Sequence, residues 1–212
     1  LDRVIAERGL HLITDEIYER ILYDGAEHVS PAAVSPSLRE RTAVVNGVSK
    51  AFSMTGWRIG YMAAPREWTS PAVALQSHLS GNPCSISQEA TMAALSGEDR
   101  SVRLMVDTFA RRRQRVLELL SEARELRVVP PKGAFYVFPD FSRYYGRSLD
   151  GTGNAIKGSQ GMAEFLLETA RVALVPGDAF GSDRHLRISF ACSDETIEEG
   201  LRSLTTTLAR LR

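Results

Sequence analysis

Residues 45–61 read VNGVSKAFSMTGWRIGY, and this stretch decides the fold. Its lysine, Lys50, follows an apolar run and stands among small and apolar residues, with no acidic residue within eight positions on either side. An amine removed from water without a counter-charge has a lowered pKa, and such a lysine can attack a carbonyl to form a Schiff base. A surface lysine that extends its amine into water is the alternative interpretation. Local sequence alone leaves both open.

Composition makes Lys50 unusual and excludes several classes of protein. The 212 residues include 26 basic and 26 acidic side chains, and 43% of the chain is apolar. These values are typical of a folded globular protein and exclude intrinsic disorder and collagen. With no net charge, the chain has no overall field to attract nucleic acid or an anionic membrane. The basic residues are arginines except at Lys50, Lys132 and Lys157.

The cysteines and the hydropathy pattern bear on cofactors and location. Cys84 and Cys192 are far apart and form neither a metal-ligand spacing nor a disulfide framework. No run approaches the ~18 apolar residues of a membrane helix, and no basic-then-apolar leader opens the chain. We therefore expect a cytoplasmic protein with no metal site, no membrane association and no nucleic-acid partner.

The first part of the chain has the pattern of an α/β protein. Short apolar runs at 10–14, 43–45 and 58–64 predict strands of a mostly parallel sheet covered by helices on both faces. A long amphipathic helix is predicted where apolar residues recur at helical spacing, at Val102, Met105, Phe109, Val116 and Leu120. We expect residues 1–100 to form one domain and residues 101–125 a bridging helix.

Residues 126–212 are predicted to form a small α+β domain. Further strands are expected at 134–138, 172–175 and 186–190, with a helix at 162–170. The last helix is expected to begin at an N-cap formed by Ser193 or Asp194.

Two further motifs contain charged residues at strand positions. In TDEIY, residues 14–18, Asp15 ends a strand at the edge where open α/β sheets bind ligands, whereas we expect Glu16 and Glu19 to be solvated. In HLRISFA, residues 185–191, Arg187 is flanked by apolar residues, so it either pairs with an internal acid or binds a substrate anion. Asp15 alone is equally compatible with a turn-forming role.

The remaining polar features favour structural roles. The basic run at 111–115 is expected to be a solvated helix face rather than a nucleic-acid site. His11 is expected to be a core or packing histidine, and the sequence indicates no partner for His28.

The residue identities and spacings around Lys50, Asp15 and Arg187 favour their functional interpretations over the structural ones. The pattern S-K-x-x-x-M-T-G-W-R-x-G around Lys50 resembles the lysine motif of the pyridoxal-phosphate-dependent aminotransferases of fold type I, class I/II. D-E-x-Y at Asp15, and P-G-x-x-F-G followed by R-I-S-F-A at Arg187, are similar to further motifs of that family, and residues 133–136 are similar to its G-A-F-Y strand, which is interpreted as scaffold.

The resemblance implies a role for each site residue. Lys50 would be the catalytic lysine that holds pyridoxal 5'-phosphate as a Schiff base, and Arg58 would bind the cofactor phosphate. Asp15 would pair with the pyridine nitrogen, and Tyr18 would donate to the phenolic oxygen. Arg187 would bind the substrate α-carboxylate. Many members also bind the phosphate through a serine three residues before the lysine, where this chain has Gly47.

The resemblance covers nearly the whole chain but begins midway through the family's fold. Residues 1–100 would then be the C-terminal part of the large domain, so we expect the isolated chain to be weakly active or inactive. The implied reaction moves an amino group between an amino acid and a 2-oxo acid, of the aspartate/2-oxoglutarate type, in a homodimer of the complete protein. The alternatives are another fold type I enzyme, such as a lyase or acyl transferase, and a catalytically silent fragment.

Overall fold

The computed structural model describes residues 1–149 and 155–212, which form two compact units, Leu1–Val106 and Asp107–Arg212. The helices are α1 (Asp2–Arg8), α2 (Pro31–Val34), α3 (Pro36–Arg39), α4 (Arg66–Leu79), α5 (Ser85–Ser96), α6 (Arg100–Ser121), α7 (Gly158–Ala170) and α8 (Asp194–Leu208). The strands are β1 (Leu12–Asp15), β2 (Thr42–Gly47), β3 (Gly60–Ala63), β4 (Tyr136–Val137), β5 (Val175–Pro176) and β6 (Leu186–Ser189). The boundary between the units falls within α6.

The first unit contains the sheet β1–β2–β3, which is mixed. β1 and β2 are parallel, as predicted, with Asp15 opposite Val45. β3 is antiparallel to β2, with Gly60 opposite Gly47. The prediction of a parallel partner is wrong for β3 because residues 48–59 form turns and a short 3₁₀ helix that return the chain to the end of β2, and not a crossover helix that would lead it back to the start of that strand.

One face of this sheet is open within the described residues. Side chains that share the face with Asp15 are exposed, and Ile13 reaches 75% exposure. Val45 and Met62, which lie opposite one another on β2 and β3, are also exposed. The expectation of helices on both faces is therefore not met in this part of the fold.

The second unit contains the antiparallel sheet β4–β6–β5, whose strand β5 contacts α7, and α7 in turn contacts α8. Successive side chains of a strand point to opposite faces, so Leu186 and Ile188 enter the core while Arg187 lies on the other face. The apolar stripe of α8 completes the core with Ile197, Leu201, Leu204 and Leu208.

The basic run at 111–115 does not form a solvated face, which corrects the prediction. Arg113 is only 8% exposed, and its Nε donates to the Pro131 carbonyl at 2.6 Å. Arg112 donates to Asp194 Oδ1 at 2.5 Å, and Arg115 pairs with Glu198. Both acidic partners lie on α8, about 80 residues further along the chain, so local sequence could not indicate them.

His11 is exposed, and its ring packs edge-on against Trp68 with centroids 4.8 Å apart. Among the described residues, no helix combines the length and the apolar character needed to cross a membrane.

Candidate active site

Asp15 lies at the C-terminal end of β1 and is exposed. Its Oδ1 accepts the backbone N–H of Ile17 at 3.1 Å, which orients the carboxylate at the turn after the strand. Tyr18 lies in that turn and is half-buried. β1 therefore positions a carboxylate and a phenol in succession at one edge of the sheet.

Glu16 is buried, at 5% exposure, and the expectation that it is solvated is wrong. Its Oε2 lies 2.9 Å from His28 Nε2, and its Oε1 accepts from the Ser30 hydroxyl at 2.7 Å. Glu19 brings a carboxylate oxygen within 4.8 Å of these groups. The network ties residues 28–30 to the end of β1. Sequence reasoning missed it because the partners lie in an irregular segment without periodicity.

Lys50 lies in the turn that follows β2 and is half-buried. Its neighbours Val48 and Ala51 belong to the core, and the N–H of Ser53 donates to the Lys50 carbonyl at 3.2 Å. The backbone of Lys50 is thus held between two buried residues, Val48 and Ala51.

Arg58 lies two residues before the start of β3 and adopts a left-handed backbone conformation, with φ of 56°. It follows the 3₁₀ helix Thr55–Trp57, and its Nη1 donates to the Thr55 carbonyl at 3.0 Å. A non-glycine residue in this conformation carries a strain of the order of 1–2 kcal/mol, which the surrounding turn sustains. The side chain itself is exposed.

The glycine at position 47 has a structural explanation. A Cβ added there would lie 2.8 Å from the Ile59 carbonyl oxygen and 3.2 Å from the Gly60 Cα. Both contacts are with backbone, so no side-chain rotation relieves them. The close pairing of β2 with β3 therefore excludes a serine at this position.

The topology of the first unit brings its four predicted site residues to one edge of the sheet. β1 and β2 are parallel, so Asp15 and the turn containing Lys50 follow the same end of adjacent strands. β3 is antiparallel, so its beginning, next to Arg58, lies beside the end of β2. Carboxyl ends of parallel strands are the edge where open α/β sheets bind ligands.

A tyrosine of the same sheet adds a titratable group. Tyr61 lies on β3 opposite Asn46. Burial raises the pKa of the Tyr61 hydroxyl, the charge of Glu19 raises it further and that of Arg20 opposes the shift. The phenol is therefore protonated, and a hydrogen-bond donor, at neutral pH.

Arg187 lies in the second unit, on β6, and is half-buried. Its guanidinium carbon lies 4.6 Å from the ring centroid of Tyr136 and 4.7 Å from that of Phe180. In the described part of the chain, the guanidinium makes no hydrogen bond or ion pair, so the internal-acid interpretation finds no support. Sequence reasoning interpreted Tyr136 as scaffold and included Phe180 only as the aromatic residue of the P-G-x-x-F-G motif, without a role.

The profile of the family described as "Aminotransferase class I and II" matches residues 1–204. The chain belongs to this family. Its fold agrees with that assignment, since the aspartate aminotransferase of Rhizobium meliloti superposes with a TM-score of 0.93 at 39% identity, over 99% of this chain and 52% of that one.

Curated members of the family are similar over nearly the whole chain. An aspartate aminotransferase of Pinus pinaster is 43% identical over 206 residues, which are 96% of this chain and 42% of that protein. A probable aspartate/prephenate aminotransferase of Aquifex aeolicus is 42% identical over 207 residues, 97% of this chain and 50% of that protein. The chain thus spans about half the length of the relatives it matches.

Proposed function

We propose that this chain carries cofactor- and substrate-binding residues of a pyridoxal-phosphate-dependent aminotransferase. The enzyme would move an amino group from aspartate to a 2-oxo acid such as 2-oxoglutarate. The observation that carries the proposal is the meeting of Asp15, Lys50 and Arg58 at one edge of the β1–β2–β3 sheet in a member of this family.

The donor set at this edge fits pyridoxal 5'-phosphate. The amine of Lys50 would hold its aldehyde carbon, the carboxylate of Asp15 its pyridine nitrogen, the phenol of Tyr18 its phenolic oxygen and the guanidinium of Arg58 its phosphate. When bound, the cofactor supplies an electron sink for a substrate carbon that has lost a proton. Since Gly47 admits no side chain, Arg58 carries the phosphate interaction without a serine at that position.

The chain's own side chains supply binding and proton transfer. Arg187 binds the α-carboxylate of the amino acid through paired N–H donors. Once the substrate's amino group has replaced it at the cofactor, the freed Nζ of Lys50 would remove the α-proton as a general base and return it as a general acid. The carboxylate of Asp15 would hold a proton on the pyridine nitrogen, whose positive charge would attract electrons. On the same resemblance, the complete protein is proposed to act as a cytoplasmic homodimer.

Replacement of Lys50 by alanine tests the assignment. We expect Lys50→Ala to abolish amino transfer and the visible absorbance that bound cofactor gives, because no other amine lies at this edge within the described residues. The measurements are the visible absorbance of the chain after addition of pyridoxal 5'-phosphate and, in the complete protein, the formation of oxaloacetate from aspartate and 2-oxoglutarate. Lys157→Ala is a control that leaves both unchanged. A Lys50→Ala variant with full activity would falsify the proposal.

A donor and acceptor panel separates the remaining candidates. With an amino donor and no acceptor, an aminotransferase releases at most one 2-oxo acid per cofactor, whereas a lyase or a decarboxylase continues to turn over. Prephenate belongs in the acceptor panel because relatives are named aspartate/prephenate aminotransferases. Absence of cofactor binding would favour the silent-fragment alternative.

A further inference from the structure

Two aromatic rings flank the guanidinium of Arg187, one from each side of its strand. Tyr136 lies on β4 and Phe180 follows β5, and these two strands are the neighbours of β6 in the sheet. Both ring centroids are within 5 Å of the guanidinium carbon. This distance is in the range of cation–π contacts.

Each ring is itself held by other aromatic groups. The Tyr136 ring lies 4.8 Å from that of Phe135. Phe180 packs at right angles against Phe138 with centroids 5.9 Å apart, and Phe138 in turn stacks on His185. Phe180 is 49% exposed, so this contact and the one with Arg187 restrain a side chain that the core does not enclose.

The contacts restrain Arg187 without consuming its hydrogen-bond donors. A cation–π contact needs no oxygen or nitrogen acceptor on the ring, so neither ring engages the five N–H donors of the guanidinium in a conventional hydrogen bond. An internal carboxylate would hold the same side chain but would occupy the donors. The observed arrangement keeps them for a ligand, because no hydrogen bond or ion pair reaches this guanidinium in the described part of the chain.

We propose that Tyr136 and Phe180 are positioning residues that direct the N–H edge of Arg187 toward a single planar carboxylate. This inference rests on the proposed role of Arg187 in carboxylate binding. Two carboxylate oxygens lie in the plane of the guanidinium. A sulfonate places a third oxygen out of that plane, toward the negative face of a ring. The rings thus set both the affinity for carboxylates and the preference for them over tetrahedral anions.

The test uses two small probes of equal charge, propionate and ethanesulfonate. Their dissociation constants are measured on the purified chain by NMR titration of the Arg187 Nε–H resonance, which is assigned by its loss in Arg187→Lys. We expect tighter binding of propionate. Phe180→Leu and Tyr136→Leu should weaken propionate binding by about two- to fivefold and bring the ratio of the two constants toward one.

Conservative variants separate ring contact from structural damage. Phe180→Tyr and Tyr136→Phe keep a ring and should stay within about twofold of the original constants. A partly unfolded variant would lose both ligands equally and leave the ratio unchanged, so the ratio reports positioning. Leucine variants that change neither constant nor ratio overturn this inference alone. If propionate does not shift the Arg187 resonance of the original chain, the carboxylate-binding role fails as well.

Discussion

Asp15 and Glu16 are adjacent carboxylates with opposite environments. Successive side chains of an extended segment alternate in direction, so Asp15 faces solvent while Glu16 turns inward to His28 and Ser30. The inner carboxylate fixes the segment beside the strand end, and the outer one stays available for a ligand. The D-E pair thus combines a structural anchor, Glu16, with the proposed cofactor-binding carboxylate of Asp15.

At this residue scale, we expect Glu16→Ala to lower the free energy of unfolding by about 1–3 kcal/mol. The change leaves the Ser30 hydroxyl and the His28 ring without their buried acceptor. Urea denaturation measures the loss. The control Glu27→Ala removes an exposed carboxylate and should change stability by less than about 0.5 kcal/mol. Equal effects of the two variants would contradict the prediction.

Elements with strong local signals follow from the sequence. Gly9 ends α1 in a left-handed cap with φ of 61°, a conformation that glycine adopts readily, and Ser193 caps α8 by accepting the Thr196 N–H at 3.2 Å. β4 is shorter than its apolar run because Ala134 is left-handed, with φ of 59°. β5 ends at Pro176, which has no N–H to continue a ladder.

Some residues of the candidate site could be predicted from local sequence, and others are placed only by tertiary structure. Strand ends place Asp15, Lys50 and Arg58, because parallel and antiparallel pairing bring those ends together. The rings beside Arg187 come from two other strands, and only tertiary structure brings them to it. The acidic partners of α6 are likewise set by the packing of α8, which no periodicity encodes.

Helix α6 gives a prediction at the scale of an element. We expect Arg113→Leu to lower the free energy of unfolding by about 1–3 kcal/mol, because the Pro131 carbonyl loses its donor while the apolar volume is largely kept. Arg111 lies two residues earlier on the same helix and is exposed. We expect Arg111→Leu to lower the free energy of unfolding by less than about 0.5 kcal/mol. Chemical denaturation followed by circular dichroism compares the two, and a larger loss for Arg111→Leu would reject the prediction.

Across the molecule, the acidic and basic residues are equal in number, and several of them form specific ion pairs. Several carboxylates of the second unit meet arginine side chains, and hydrogen bonds from arginine lower the pKa of Glu125 and of Glu198. A carboxylate whose pKa is lower in the folded than in the unfolded state stabilises the fold at pH values above its ordinary pKa of 4.5. That stabilisation is lost as the pH falls through the pKa of the folded state. The second unit should therefore lose stability in acid.

Glu125 allows a direct measurement of this loss. Its two carboxylate oxygens accept from Arg147 at 2.9 and 2.7 Å. We expect Glu125→Gln to melt at a lower temperature than the original chain at neutral pH, and the difference to close as the pH falls below 4.5. Thermal unfolding across pH checks this, with Glu122→Gln as the control. A difference that is constant or grows in acid would argue against the pairing.

The contact at Gly47 also constrains the evolution of the chain. Every replacement of this glycine adds at least a Cβ, which meets the backbone of β3 at once. A serine could become a phosphate ligand here only after β3 had moved away, so at least two mutational steps are needed and the first brings no benefit. Loss of Arg58, the proposed phosphate ligand, could therefore not be compensated by a side chain at position 47 while β2 and β3 keep this pairing.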